Sequence, residues 1–206
     1  MKLIRFKIYG LFLLAVGFGL SMTVGCQTRT NDNSAAKTNA PKAELQTAGA
    51  TPKPETKAVD FDFTDFSGKA RKFSEFRGKI VLLDFWATWC APCLADIPKL
   101  KAIYEKHKGE GFEIVGMNVE TIGDDAAPDA TTAKESAAHA KQIITSRNVS
   151  WTVATSETAV PVATKTFGVE SLPTKILIDK DGKVLAAIGE KDDLAGIVEQ
   201  LLSEKK

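Results

Sequence analysis

Two cysteines three positions apart follow a strongly apolar run, and this arrangement most limits what the chain can fold into. The run spans Ile80 to Phe85, and the cysteines are Cys90 and Cys93 of a C-x-x-C motif. A continuous apolar run of this length predicts a central strand buried on both faces. Apolar residues at helical spacing from Leu94 to Tyr104 predict a helix directly behind the cysteines. A thiol at a helix N-terminus ionises readily, and the thiolate is the species that attacks disulfides, so the pattern indicates thiol–disulfide exchange.

Hydrophobic periodicity predicts further elements on both sides of this unit. Alternation over Val59 to Phe66 predicts a half-buried strand that returns through a turn. The other predicted elements are a return strand at Ala70–Phe73, a strand at Phe112–Val119, a loop at 124–131, a helix from Thr132 to about Arg147, a strand at Trp151–Thr155, a helix at Val160–Phe167, a hairpin of Lys175–Ile178 with Val184–Ile188, and a closing helix at Asp192–Leu202.

The cysteine motif and its surroundings resemble the thioredoxin superfamily over residues 58–206. Asp84 stands where the family carries a buried carboxylate, Pro98 matches a proline in the active-site helix, and Leu172-Pro173-Thr174 matches the cis-proline loop. The added helix and strand after residue 120 are typical of TlpA- and ResA-like envelope proteins and of peroxiredoxins. The resemblance implies a thioredoxin-like α/β fold: a central mixed sheet flanked by helices, an N-terminal β-hairpin and an inserted helix–strand element.

The resemblance and the residue chemistry together assign roles to three side chains. Cys90, expected to be partly exposed, is the attacking sulfur, and Cys93 is the buried resolving thiol. A carboxylate in an apolar strand has a raised pKa, which suits Asp84 to accept the proton of Cys93, although a purely local hydrogen-bonding role is the alternative. Thioredoxins usually place a lysine near this carboxylate from the strand at 115–117, whereas here the matching residue is Gly116.

Two other interpretations of the cysteine pair are a structural zinc half-site and a static disulfide. A zinc site needs two more ligands, and the chain offers only Cys26, His107 and His139, none of them paired in spacing. We expect both histidines to be solvated helix residues. The sequence therefore predicts neither a metal nor a cofactor.

Four residues are predicted to contact substrate: Trp89, Pro92, Leu172 and Pro173. Pro92 removes a backbone donor from the turn between the cysteines, which stabilises the thiolate less and favours a reductant. The resemblance implies a cis bond before Pro173 and a loop that pairs with an extended substrate segment. Leu172 makes the rim of the site apolar. Trp89 is expected to be exposed, whereas Trp86 lies either at that rim or in the core.

The N-terminus predicts a targeting signal. A basic start precedes an uncharged stretch from Ile8 to Gly25, and Thr23-Val24-Gly25-Cys26 resembles a bacterial lipobox. We expect residues 1–26 to be a signal peptide with Cys26 lipidated, or alternatively an uncleaved anchor, since such a stretch just spans a bilayer of about 30 Å. Both alternatives place the domain at 58–206 outside the cytoplasm. Residues 27–57, poor in large apolar side chains, predict a flexible linker.

Together these features predict an envelope-tethered oxidoreductase that reduces disulfides of exported proteins. The resemblance suggests apocytochrome c or a copper-site assembly factor as substrate and a membrane thiol carrier as electron donor. The charge is balanced, 27 basic against 26 acidic residues, so no basic field indicates nucleic-acid binding. The alternatives are a disulfide oxidase or isomerase on the same scaffold, a thiol peroxidase, and a copper chaperone.

Overall fold

The computed structural model describes residues 58–122 and 130–204. The predicted signal peptide 1–26, the lipidation site Cys26, the linker 27–57 and most of the loop predicted at 124–131 lie outside the described residues, so these stay predictions. Within the described part of the chain, none of the helices combines the length and the apolar character needed to cross a bilayer.

The described residues form seven strands and four α-helices. The strands are β1 (Asp62–Thr64), β2 (Ala70–Lys72), β3 (Ile80–Trp86), β4 (Phe112–Asn118), β5 (Thr152–Ala154), β6 (Thr174–Ile178) and β7 (Val184–Ile188). The helices are α1 (Ala91–His107), α2 (Ala130–Ser146), α3 (Ser156–Pro161) and α4 (Leu194–Ser203). Short 3₁₀ turns at Phe73–Phe76 and Lys108–Glu110 and one π-helical turn at Val162–Thr166 complete them.

Five strands form a mixed sheet in the order β5-β4-β3-β6-β7. Strands β3, β4 and β5 run parallel, because helical crossovers join them, and β6 and β7 are antiparallel to their neighbours. Strands β1 and β2 form a separate antiparallel hairpin. The predicted fold is confirmed: a mixed sheet flanked by helices, an N-terminal hairpin and an inserted helix and strand.

Two apolar cores cover the two faces of the sheet, and alternation along β3 assigns its residues to them. Val81, Leu83 and Phe85 join the core beneath the β1–β2 hairpin and α3. Leu82 and Trp86 join the core that contains both cysteines and residues of α1, α2 and α4. Successive side chains in a strand point to opposite faces, so Asp84 lies on the face of the cysteines.

The predicted helix at Val160–Phe167 was wrong in its start. Helix α3 begins at Ser156, because the carbonyl of Thr155 already accepts the N–H groups of Thr158 and Ala159. Pro161 has no N–H to continue the ladder, and the chain passes into the π-helical turn, where Phe167 donates to the carbonyl of Val162. The apolar pattern located the segment and missed its polar first turn.

Candidate active site

The two cysteines form a disulfide at the junction of β3 and α1. Their Cα atoms are 5.3 Å apart. Cys90 is the N-cap residue of α1, and its Sγ accepts the N–H of Cys93 at 3.3 Å. Pro92, the second residue of the helix, has no N–H to donate. In the described part of the chain, the Cys93 N–H is therefore the main-chain donor aimed at the Cys90 sulfur.

The expected partial exposure of Cys90 is wrong for this oxidised state. Cys90 is 4% exposed and Cys93 is 3% exposed. Both belong to the apolar cluster that includes Trp86 and Ala87, and the half-buried Leu172 packs against that cluster. Bonded to Cys93, the Cys90 side chain is folded into apolar surroundings, which favours a neutral disulfide over a charged thiolate.

Asp84 lies in the middle of β3 and is 4% exposed. Burial raises its pKa to about 6, against the opposing attraction of the Lys175 ammonium and with a smaller raising contribution from the charge of Asp96. A carboxyl with this pKa exchanges its proton near neutral pH, where a thiol has to be deprotonated. The structure thus places an ionisable carboxyl on the face of the sheet that carries the cysteines, and its role as proton acceptor stays a prediction.

Lys175 is the residue of this site that the sequence reasoning missed. It lies on β6 directly opposite Asp84 in the antiparallel pair, and it is 8% exposed. Its Nζ donates to Asp96 Oδ2 of α1 at 2.7 Å and lies 3.8 Å from Asp84 Oδ1. One buried ammonium therefore bridges two carboxylates. A lysine directly before the apolar run Ile176–Ile178 of the predicted strand was the available signal, since buried lysines are nearly always paired.

Gly116 explains why the cation comes from β6 and not from β4. It faces Asp84 across the parallel β3–β4 pair. A Cβ at this position would meet Val153 Cγ2 at 3.2 Å, Trp151 Nε1 at 3.3 Å and Trp86 Nε1 at 3.4 Å. A side chain at position 116 would therefore require Val153 and two indoles to shift, so the space beside Asp84 on this side is tight.

Residues predicted to contact substrate surround the disulfide. The Leu172–Pro173 bond is cis, as predicted. Trp89 is 58% exposed, whereas Trp86 is 6% exposed and belongs to the core. A groove of about 230 Å³ opens beside the helix start, and its lining includes Pro92, Pro173 and Lys175. Contact of these residues with a substrate stays a prediction.

The two histidines have different environments, and one expectation fails. His139 is exposed, but His107 is 4% exposed at the end of α1. Its Nδ1 lies 2.7 Å from Glu110 Oε2, and its Nε2 lies 3.8 Å from Glu199 Oε1 of α4, the helix that covers it. Across residues 58–122 and 130–204, no three His, Cys, Asp or Glu side chains gather as a metal site would require.

A family model and individual relatives match this chain. The Redoxin family model matches residues 53–201. A thiol-disulfide oxidoreductase ResA of Bacillus thuringiensis subsp. konkukian is 35% identical over 131 residues, which cover 64% of this chain and 66% of that protein, just under two thirds. A second ResA, from Bacillus thuringiensis strain Al Hakam, is 33% identical over 147 residues, covering 70% of this chain and 76% of the relative.

Solved structures share the same architecture. The thioredoxin domain of a thiol-disulfide oxidoreductase from Bacteroides vulgatus aligns with a TM-score of 0.58 and 25% identity, covering 75% of this chain and 99% of that domain. The solution structure of a thiol:disulfide interchange protein from a Bacteroides species aligns with a TM-score of 0.57 and 27% identity, covering 72% of this chain and 90% of the other. Both are similar to this chain across its sheet and helices.

Proposed function

The chain belongs to the redoxin family and, within the thioredoxin superfamily, to the ResA-like thiol–disulfide oxidoreductases, and on this premise we propose that it reduces disulfides in exported proteins. The observation that carries the proposal is the Cys90–Cys93 disulfide at the start of α1, with Cys90 as the helix cap. The buried carboxyl of Asp84, with a pKa of about 6, supports it.

In the first step, the Cys90 thiolate attacks one sulfur of a partner disulfide. A bond forms between Cys90 Sγ and that sulfur, the partner's own S–S bond breaks, and the released partner thiolate takes a proton from water. The helix N-terminus and the N–H of Cys93 favour the thiolate that begins this step.

In the second step, the Cys93 thiol gives its proton to the Asp84 carboxylate and attacks Cys90 Sγ. The Cys90–Cys93 disulfide forms, the mixed disulfide breaks, and the second partner sulfur leaves as a thiolate that is then protonated. Two electrons have passed from the protein to the partner. A dithiol protein of the membrane restores Cys90 and Cys93 by the reverse exchange and becomes oxidised itself.

The reducing direction rests on the helix start. Pro92 supplies no N–H, so the Cys93 N–H is the donor to Cys90 Sγ. Each donor aimed at the sulfur stabilises the reduced thiolate and raises the reduction potential, so a site with few donors is a reductant. The Ala91-Pro92 dipeptide adds no cation that would stabilise the thiolate, since neither residue is ionisable.

The proposed location is the outer side of a bacterial membrane. The support is the basic and then apolar start of the sequence, followed by Cys26 and by a polar stretch to residue 57. As partners we propose disulfide-containing exported proteins, including apocytochrome c with its haem-binding cysteines. A lipid on Cys26, or the uncleaved apolar segment, would hold the domain close to its membrane electron donor.

The reduction potential of the Cys90–Cys93 pair tests the proposal, measured by equilibrating the purified protein in glutathione and dithiothreitol buffers. A value near about −250 mV or lower is expected for a reductant. A value between about −180 and −120 mV would refute the reducing direction and indicate a disulfide-forming or isomerising enzyme. A Cys93→Ser variant should accumulate mixed disulfides through Cys90, and a Cys90→Ser variant should form none.

A further inference from the structure

Glu120 lies two residues beyond the end of β4 and connects that strand to the segment just before Cys90. Its carboxylate accepts the main-chain N–H of Thr88 at 3.0 Å and the Thr88 hydroxyl at 2.8 Å. It also accepts the side-chain amide of Asn118 at 2.6 Å. Hydrogen bonds to a charged acceptor are among the stronger ones in proteins, so Thr88 is firmly held.

The main chain of Glu120 holds the next residue, Trp89. The indole Nε1 donates to the carbonyl oxygen of Glu120 at 2.9 Å, while the tryptophan as a whole is 58% exposed. An exposed tryptophan ordinarily samples several rotamers. Here its polar end is fixed and its apolar face is left open beside Cys90. Such a pre-ordered aromatic surface binds a partner with little further loss of side-chain entropy.

Glu120 is itself held in place. Its N–H donates to the hydroxyl of Ser156, the first residue of α3, at 3.0 Å. Thus β4, α3 and the loop that leads to Cys90 converge on this residue. Because Trp89 bonds to the carbonyl and Thr88 bonds to the carboxylate, the loop is fixed at two successive positions by one residue.

We propose that Glu120 is a positioning residue that fixes the exposed face of Trp89 beside Cys90 for the binding of protein substrates. This inference rests on the proposed thiol–disulfide exchange and deepens it. An extended protein segment entering the site lies between Trp89 on one side and Leu172-Pro173 on the other. A small disulfide needs little more than access to Cys90, so its reaction depends less on the orientation of the indole.

Replacement of Glu120 tests the proposal in the whole protein. Glu120→Ala removes the carboxylate and keeps the carbonyl that Trp89 uses, so any change at Trp89 is transmitted through the held loop. Glu113→Gln is the control: Glu113 is a buried carboxylate on β4, the strand that precedes Glu120, and it is 8% exposed. Its partner Lys79 lies at 2.8 Å, and Glu113 pairs with Val81 near the start of β3, at the opposite end of that strand from the cysteines. Thr88→Val, which removes one hydroxyl donor, serves if Glu120→Ala does not fold.

Two readouts separate positioning from general stability. One is the ratio of kcat/KM for the reduction of insulin to kcat/KM for the reduction of the small disulfide DTNB. The other is acrylamide quenching of fluorescence, which reports on Trp89 because Trp86 and Trp151 are each 6% exposed. For Glu120→Ala we expect the ratio to fall about five-fold, mainly through KM for insulin, because the indole is no longer ordered before the substrate binds.

We also expect the quenching constant of Glu120→Ala to rise, while Glu113→Gln changes neither readout. Parallel losses on both substrates, an unchanged ratio, or unchanged quenching would overturn the proposal, and Thr88→Val is judged by the same criteria. Failure of the proposed function has another signature, because the unmodified protein would then lack reducing activity or show a high potential. The quenching comparison is independent of which direction the exchange runs.

Discussion

Replacement of Asp84 by asparagine should stabilise the fold at neutral pH, although it removes a central charged residue. Asp84 is 4% exposed, and burial raises its pKa to about 6, the ammonium of Lys175 being too weak an influence to offset the loss of hydration. In the unfolded chain the same carboxyl has its ordinary pKa of 3.8. Asparagine has nearly the same size and carries no charge to desolvate.

The magnitude follows from the difference between these two pKa values. A difference of about 2 pKa units, at 1.36 kcal/mol per unit, amounts to about 3 kcal/mol. The favourable contribution of the protonated carboxyl is complete below pH 3.8 and is lost as the pH rises through 6. The attraction of Lys175 for the Asp84 carboxylate is already contained in this pKa, so we expect a net stabilisation of about 3 kcal/mol at pH 7.

Urea unfolding of the two oxidised proteins from pH 4 to pH 8 measures this effect. The free energy of unfolding of Asp84→Asn minus that of the unmodified protein should grow between pH 4 and 6.5 and then level off. A difference that does not vary with pH, or a variant less stable than the unmodified protein at pH 7, would refute the assignment of Asp84 as a carboxyl whose pKa is raised by burial.

A second carboxylate supplies a control of opposite sign. Burial pushes the pKa of Asp65 upward, but hydrogen bonds from the Ser67 hydroxyl and from the N–H groups of Lys69 and Ser67, together with the charge of Arg71, outweigh it and lower the pKa. Asp65→Asn should therefore destabilise the protein at neutral pH, and this loss should shrink as the pH falls below 3.8.

Three further outcomes are expected. Asp84→Asn should slow the attack of Cys93 on a preformed mixed disulfide by about ten-fold or more, as measured by rapid mixing. It should also remove the inflection near pH 6 from the pH profile of this rate. An unchanged profile would contradict the role of Asp84 in proton transfer. Lys175→Met should move that inflection to higher pH, because the nearby ammonium at 3.8 Å lowers the pKa of Asp84, whereas Lys175→Arg should restore it. Gly116→Ala should destabilise the fold by about 1–3 kcal/mol in urea unfolding, because its Cβ would lie 3.2 Å from Val153, while Gly109→Ala, which meets nothing within 4 Å, should have little effect.

The sequence was sufficient for the elements that local patterns determine. Strands β3 and β4 appeared as apolar runs because they are buried on both faces, and the helix behind Cys93 appeared from its spacing of apolar residues. The cis bond before Pro173 came from the family resemblance, since nothing local distinguishes it.

Features that depend on register or on docking were beyond the sequence pattern. Lys175 faces Asp84 because β6 pairs antiparallel with β3 in one register, which no local signal fixes. Glu120 meets Thr88 because each lies two residues beyond the paired strand ends Trp86 and Asn118 of the parallel strands β3 and β4. His107 is buried because α4 covers the end of α1. The sequence around His107 in its own helix is polar, so it gave no sign of this burial.

The pairing of β6 with β3 also sets when the site becomes complete. Lys175 meets Asp84 across a sequence separation of 175 minus 84, or 91 residues. The ribosome synthesises the N-terminal segments of a chain first, and pairings between segments distant in sequence form slowly. The cysteines and α1 are thus made well before the cation and the cis-proline loop. An unfinished copy of this chain carries the two thiols and Asp84 without Lys175 and the cis-proline loop, so the complete site belongs to the finished sheet and not to the motif.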